Sequence, residues 1–332
     1  MTQCPYTLQW DAGTAMLRAT VSAPSFSRPL LNTMALRVRP ANQPVPSDLE
    51  GTLLGRQFAH WLRQRDDPAR SRSKSSLAQA LTALPSDIVR AHAHQQAALA
   101  RMSTWDHWTW TTPVATIASL LGVPLPSLRA QEALLAKMQG IANGLSGRNV
   151  LAADSACAEL LAILDKAEGP LQEIMLEYAP PSQWLSEDDF SANRLALLWQ
   201  GYEAGAALLG NALKCMSEIP ALRHTRDIQS WLIQLISDGG AIRNTRRFTA
   251  ETLRLNDMKI EMGTTVVVEL GGDLGFGSGH HLCPGQDIAI TTVSAALEWL
   301  LASGIESWPA VANTLVLPNA SIPLFCNGSI AR

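Results

Sequence analysis

The chain has 332 residues, of which 47% are hydrophobic and 17% charged, and 26 Lys plus Arg stand against 29 Asp plus Glu for a net charge of -3. A chain this long and this apolar can bury a sizeable core, far from the composition that keeps segments disordered. The balanced charge supplies no general pull on phosphate backbones or anionic lipid, so neither nucleic acid nor a membrane is an expected partner.

The segment 1–17 lacks a basic start followed by an apolar core, and no apolar run approaches the ~20 residues needed to span a bilayer. From about residue 48 to 237 Ala, Leu, Gln and Arg dominate, and apolar positions recur at helical spacing, as at Leu120, Leu121, Leu134, Leu135 and Met138. This stretch reads as a stack of helices, with boundaries at Pro124, Pro126, Pro180, Pro181 and Pro220, because proline lacks the amide donor and restricts its predecessor. Asn193–Met216 has few breakers and little charge, which predicts a long, mostly buried helix. After residue 245 the texture changes: Leu253–Leu255, Lys259–Glu261 and Thr264–Leu270 are β-rich and separated by Asn256, Asp257 and Gly263. A helix over Leu282–Ala302, opening at Pro284, and a closing hairpin from Thr314–Leu317 and Ile322–Cys326 complete the pattern. The fold class is mainly α with a small β region. With no repeat and no low-complexity linker, 1–332 is expected to form a single domain, helical over 48–237, with a small sheet and a ligand loop over 245–332.

Cys4, Cys157, Cys215, Cys283 and Cys326 lie far apart, form no CxxC pair and are odd in number, so neither a disulfide framework nor a thiolate zinc cage is indicated. A reducing, cytoplasmic location is the expectation. One of the five carries chemistry. Cys283 stands directly before Pro284, which sacrifices no amide bond at a helix start, and the amides that follow, beginning at Gly285, can point at the sulfur. The positive helix end then lowers the thiol pKa and favours a thiolate ligand.

The segment Phe276–Ala289, FGSGHHLCPGQDIA, matches F-x-x-G-x-[H/R]-x-C-x-G-x-x-x-A at every constrained position. A chance match has a probability on the order of 10⁻⁵ in a chain of this length, which sets the bland alternative of a buried structural cysteine well behind. Here the sequence resembles the cytochrome P-450 superfamily. The resemblance implies a P-450-like fold, a haem b cofactor and Cys283 as axial thiolate on its iron, a ligand that favours O–O cleavage. It implies that Phe276, Gly277 and Gly285 lie against the macrocycle, and that His281 bonds a haem propionate. Gly279 removes a further β-carbon there, and His280 is given no role.

Other segments carry the resemblance along the chain. In Asn244–Val267 the basic residue facing a propionate is Arg247, with Arg246 competing. Asp67–Lys74, DPARSRSK, resembles the start of the family's C helix, where Arg70 and Lys74, four apart on one helical face, bind propionates; a solvated basic run is the alternative. Asn193–Met216 resembles the I helix, with Gly201 and Glu203 matching its glycine and acid. The threonine that usually follows, a proton relay, is Ala204 here, so ordinary oxygen activation needs Glu203, ordered water or a substrate hydroxyl in its place; a Glu203 that serves only packing or helix bending is the alternative.

Two family features are missing. Gln234 and Ser237 occupy the places of the Glu-x-x-Arg motif, and Glu251–Arg254 has that spacing but lies in the β region, a decoy. The meander before the haem loop is deleted, since Leu270 is followed within a few residues by Phe276. Losing these parts together avoids leaving an unpaired buried charge. It also removes a segment on the cysteine side of the haem, where the resemblance implies that a ferredoxin-type electron donor docks.

The expected function is a haem-thiolate oxidoreductase, monooxygenase-type, acting on a small organic substrate. The alternatives are a haem-thiolate enzyme driven by peroxide or performing a dehydration or rearrangement, favoured by Ala204 and the missing meander, and a non-catalytic auxiliary relative, against which Cys283 argues. The clustered Trp105, Trp108 and Trp110 are read as core and given no ligand role.

Overall fold

The computed structural model of the chain describes residues 6–11, 16–21, 24–255, 258–326, 328 and 330; Cys4 lies outside them. Strands β1 (Tyr6–Asp11) and β2 (Met16–Val21) precede helix α1 (Pro24–Asn32) and the short strand β3 (Leu36–Arg37). The helical stretch follows as α2 (Leu53–His60), α3 (Pro68–Ala83), α4 (Ser86–Leu99), α5 (Trp105–Leu120), α6 (Leu128–Leu145), α7 (Val150–Leu164), α8 (Pro170–Tyr178), α9 (Glu187–Glu218) and α10 (Ile228–Ser237). Then come β4 (Asn244–Thr249), β5 (Leu253–Leu255), β6 (Met258–Ile260), β7 (Thr265–Glu269), helix α11 (Gln286–Ala302) and the strands β8 (Val311–Val316) and β9 (Ser321–Phe325).

Caps explain the helix limits. Asp67 accepts a bond from the Arg70 amide and Pro68 follows it at the start of α3, the pairing that satisfies a free amide and pre-sets the first φ. Ser186 caps α9 in the same way, and Glu187, Asp188 and Asp189 complement its positive end. Those charged residues lie outside the predicted Asn193–Met216, so the helix is longer at both ends than its apolar pattern. Pro113 sits inside α5, where periodicity alone placed no break.

The five-stranded sheet runs β1-β2-β7-β4-β3, with β2 parallel to β7 and the remaining pairs antiparallel. Its first two strands were not anticipated, because their partner β7 lies at the far end of the sequence and no local pattern reports such a pairing. The closing hairpin β8–β9 forms as expected, its first strand beginning earlier, at Val311, and the expected β-rich segments β5 and β6 pair as a separate two-stranded hairpin.

The largest hydrophobic cluster joins α2 to α9, through Trp61, Leu120, Met138, Leu160 and Leu195 among others. A second holds α4, α5, α9, α10 and α11 together around Trp108, Leu213, Leu232 and Leu297. Trp105 and Trp108 lie in this second cluster and Trp110 packs against the first, so the three tryptophans are core as expected. No helix among the described residues is long and apolar enough to cross a membrane.

Candidate active site

A cavity of about 780 Å³ lies between α9, α3, β4 and the loop before α11. That volume is in the upper part of the range for pockets that enclose a cofactor or drug-sized ligand. Gly201, Glu203, Ala204, Arg70, Lys74, Arg247, Phe276, Gly277, His281, Cys283 and Gly285 all line it. Residues far apart in sequence are therefore brought to one place.

The loop carrying Cys283 is folded tightly. The Cys283 amide donates to the Phe276 carbonyl at 3.0 Å and the Gly277 amide to the Leu274 carbonyl at 2.7 Å. Gly277 and Gly279 take φ values of +80° and +65°, a conformation that strains any residue with a β-carbon. At Gly279 a β-carbon would also fall 2.2 Å from Asn32 Oδ1 on α1. Its expected contact with a macrocycle is replaced by this packing, and it does not line the cavity. At Gly285 a β-carbon would meet nothing within 4 Å.

Helix α11 begins at Gln286, two residues later than Pro284, where the sequence placed it. Pro284 and Gly285 form a turn instead, which leaves the Gly285 amide free to donate to the Cys283 sulfur. Burial nevertheless dominates and pushes the Cys283 thiol above its ordinary value, against the opposing pull of that amide, Arg63 and Lys74. The expected lowering by the helix end is thus outweighed by burial.

Arg70 is buried and fully engaged on one side: its Nε donates to the Leu62 carbonyl at 2.6 Å and Nη1 to the His280 carbonyl at 3.0 Å. Its Nη2 lies 2.9 Å from His281 Nδ1, and His281 Nε2 lies 2.7 Å from Asp66 Oδ1. Because guanidinium only donates, Nδ1 is the acceptor and Nε2–H donates to Asp66. Both ring nitrogens of His281 are therefore occupied within the protein. Its predicted bond to a propionate has no free donor, and its place is to hold Arg70. Burial, with Arg70 and Arg247 nearby, lowers the His281 pKa and keeps the ring neutral. Lys74 also donates to the His280 carbonyl, and burial beside Arg70 lowers its pKa to about 8. His280, given no role from sequence, serves through its carbonyl. Asp66, His280 and His281 approach within 4.8 Å of one another, but the adjacent Arg70 and Lys74 oppose a metal ion there.

On β4 the two competing arginines both line the cavity and differ in burial. Arg247 is buried, with its pKa lowered to about 10 by burial and by Arg63, whereas Arg246 is exposed and lies over the Phe248 ring. On α9, Glu203 faces the cavity and burial raises its carboxyl pKa, with Arg63 pulling the other way. Gly201 and Gly205 let α5 approach: a β-carbon would lie 2.1 Å from Ile117 Cδ1 at the first and 2.4 Å from Pro113 Cβ at the second.

Sequence reading missed Arg63. It belongs to the 3₁₀ turn Leu62–Gln64, lines the cavity and keeps substantial accessible surface. No motif surrounds it, so only the fold reveals it. Trp199, stacked on Trp61 at 6.5 Å, was likewise missed.

Helix α10 carries neither charge of Glu-x-x-Arg, and Gln234 donates to Asp238 on its exposed side. Between β7 and Phe276 there is only the 3₁₀ turn Gly272–Leu274.

No family profile and no curated protein matches the chain. Solved structures do. The cytochrome P-450 PksS of the Bacillus subtilis 168 bacillaene polyketide synthase superposes with a TM-score of 0.80 at 15% identity, over 99% of this chain and 94% of that one. P-450 RauA, complexed with a biosynthetic intermediate of aurachin RE, gives 0.75 at 17% identity, over 98% and 93%. P-450 BioI, in complex with an acyl carrier protein ligated to hexadec-9Z-enoic acid, also gives 0.75 at 17%, over 97% and 93%. The chain has the cytochrome P-450 fold. It is a reduced P-450 fold, with the meander absent between β7 and the cysteine loop.

Proposed function

We propose that the protein is a haem-thiolate oxidoreductase that oxidises a small organic molecule at a haem b iron ligated by Cys283. The observation that carries this reading is the cavity itself, with the Cys283 sulfur on its wall beside Arg70, Lys74 and Arg247. The residues fit the group. The Gly285 amide supports negative charge on the sulfur, no β-carbon rises at Gly285, and Arg70, Lys74 and Arg247 cluster in one corner, with Asp66, outside the lining, as a carboxylate within electrostatic reach of both arginines. Such a cluster is costly unless an anion neutralises it, and two propionates supply that charge.

Cys283 would hold the iron, and Arg70, Lys74 and Arg247 the propionates, with Phe276, Gly277 and Gly285 beside the macrocycle and Gly201 near it on α9. A haem so bound supplies oxidising power toward an organic substrate. The chain's own task is to position that substrate, exclude water and deliver protons. Ala204 has no hydroxyl, so Glu203 is the side chain on α9 able to hold a proton over the cavity. Its raised pKa favours the protonated, donating form.

A second reading, oxidation driven by peroxide, is favoured by Ala204 and by the missing segment on the cysteine side. The test is reconstitution with hemin, followed by the spectrum of the dithionite-reduced, carbon monoxide-treated protein. A strongly red-shifted Soret band in the wild type, lost in Cys283→Ala, is the expected result; failure to take up haem, or an unshifted band, overturns the reading. Turnover with hydrogen peroxide against turnover with reduced ferredoxin then separates the two oxidant sources.

A further inference from the structure

Six cationic side chains line the cavity, Arg39, Arg63, Arg70, Lys74, Arg246 and Arg247, against Glu203 as the one acid among the described lining residues. Two propionates and a thiolate cannot neutralise this set even with Glu203 ionised. Arg70, Lys74 and Arg247 suffice for the propionates, which leaves Arg63, Arg39 and Arg246 over.

Arg63 differs from the others in how it is placed. Its turn is pinned to α9 and α3 from both sides: the Leu62 amide donates to Asn193 Oδ1 at 2.9 Å, and the Leu62 carbonyl accepts from Arg70 at 2.6 Å. Arg65 donates to Asp189 at 3.0 Å and to Asp67 at 2.7 Å, and His60 bonds the same Asp189. Asn193 also donates to the His60 carbonyl at 2.9 Å. Leu62 before Arg63 and Arg65 after it are thus anchored, while among the described residues the Arg63 guanidinium makes no hydrogen bond or ion pair. It stands within electrostatic reach of both Glu203 and Cys283, with the like-charged Arg247 beside it.

The same cavity has an apolar lining that includes Phe58, Leu62, Ile117, Leu145, Leu197 and Trp199. Arg39 covers the Phe58 ring at 5.6 Å and donates to the Gln43 carbonyl, adding a second cation on the same side as that ring. A guanidinium with unused donors, carried on an anchored turn in a cavity with apolar lining, is suited to a carboxylate on an apolar body.

We propose that Arg63 is the specificity-determining residue for an organic anion, a carboxylate-bearing amphiphile whose apolar part lies along Phe58, Leu197 and Trp199. This rests on the haem-thiolate reading above. Arg39 and Arg246 contribute to the same preference for negative charge.

The test uses the haem-loaded protein titrated with decanoate, 1-decanol and decyltrimethylammonium, read by calorimetry and by the shift of the Soret band. Decanoate is expected to bind about tenfold or more tightly than decanol, as a charge-assisted pair implies, and the ammonium to be rejected. Arg63→Gln should abolish the decanoate preference and leave decanol and haem affinity unchanged, while Arg63→Lys retains part of it. Equal binding of decanoate and decanol to the wild type overturns the proposal and leaves the haem reading standing. A loss of haem affinity in Arg63→Gln with the preference intact also overturns it, making Arg63 a propionate partner. If no Soret band forms on adding hemin, the haem reading fails and takes this proposal with it.

Discussion

Glu203 and Arg63 face each other across one cavity, and their charges are coupled: burial raises the carboxyl pKa and the guanidinium restrains that rise. A carboxyl with a raised pKa donates a proton below that pKa and loses this capacity as the pH climbs through it. Turnover limited by Glu203 should therefore fall on the alkaline side. In Glu203→Gln turnover should drop roughly 10²-fold, the usual scale for a positioned proton donor, and the alkaline fall should disappear while haem content stays unchanged. A pH profile of turnover for both proteins checks this, and an unaltered profile removes Glu203 from the mechanism. The place of Cys283 in a tight loop before α11 was legible from the sequence because Cys, Pro and Gly adjoin in one motif. The state of His281 was not: its two nitrogens are claimed by Asp66 and Arg70, residues more than two hundred positions away.

At the scale of elements, the α5–α9 contact sets the floor of the cavity. Gly201 and Gly205 stand on the α9 face toward α5, but their neighbours differ in how they can yield. At Gly201 the nearest atom is the end of the flexible Ile117 side chain, whereas at Gly205 it is the rigid Pro113 ring. Gly201→Ala should be close to neutral, since helix propensity gains up to ~1 kcal/mol against a small displacement. Gly205→Ala should destabilise by about 1–3 kcal/mol, an overpacking that propensity only partly offsets. Urea denaturation of both variants measures the difference, and equal midpoints would show that the helices separate freely. Helix α9 itself was readable from its scarcity of breakers and charges, and its N-terminal end came from the Ser186 cap and the acidic first turn. The N-terminal hairpin was not readable, since its place in the sheet depends on β7.

Over the whole molecule, the cavity gathers like charges from the loop after β3, the Leu62–Gln64 turn, α3 and β4. Each element is tolerable alone, and the repulsion arises only once the fold assembles them. The haem-free protein should therefore gain stability from salt more steeply than the haem-loaded one. Hemin at a hundredfold excess over its dissociation constant adds about 2.7 kcal/mol by mass action, or a rise in Tm of about 4 °C for a chain of this size. Calorimetric scans with and without hemin, at low and high salt, check both statements. A salt response identical in the two forms would show that the cavity cations do not repel one another appreciably.

The sequence by itself determined the helical stretch, the small β region, the Cys283 loop and the loss of the Glu-x-x-Arg pair and meander, because each is written in local spacing, propensity or a contiguous motif. Tertiary structure alone decided that Arg63 enters the cavity, that His281 is spent on Arg70 and Asp66, that burial raises rather than lowers the Cys283 thiol pKa, and that β1 and β2 join β7. These depend on which distant side chains surround a group and how much water they displace, and neither quantity has a local signature in the chain.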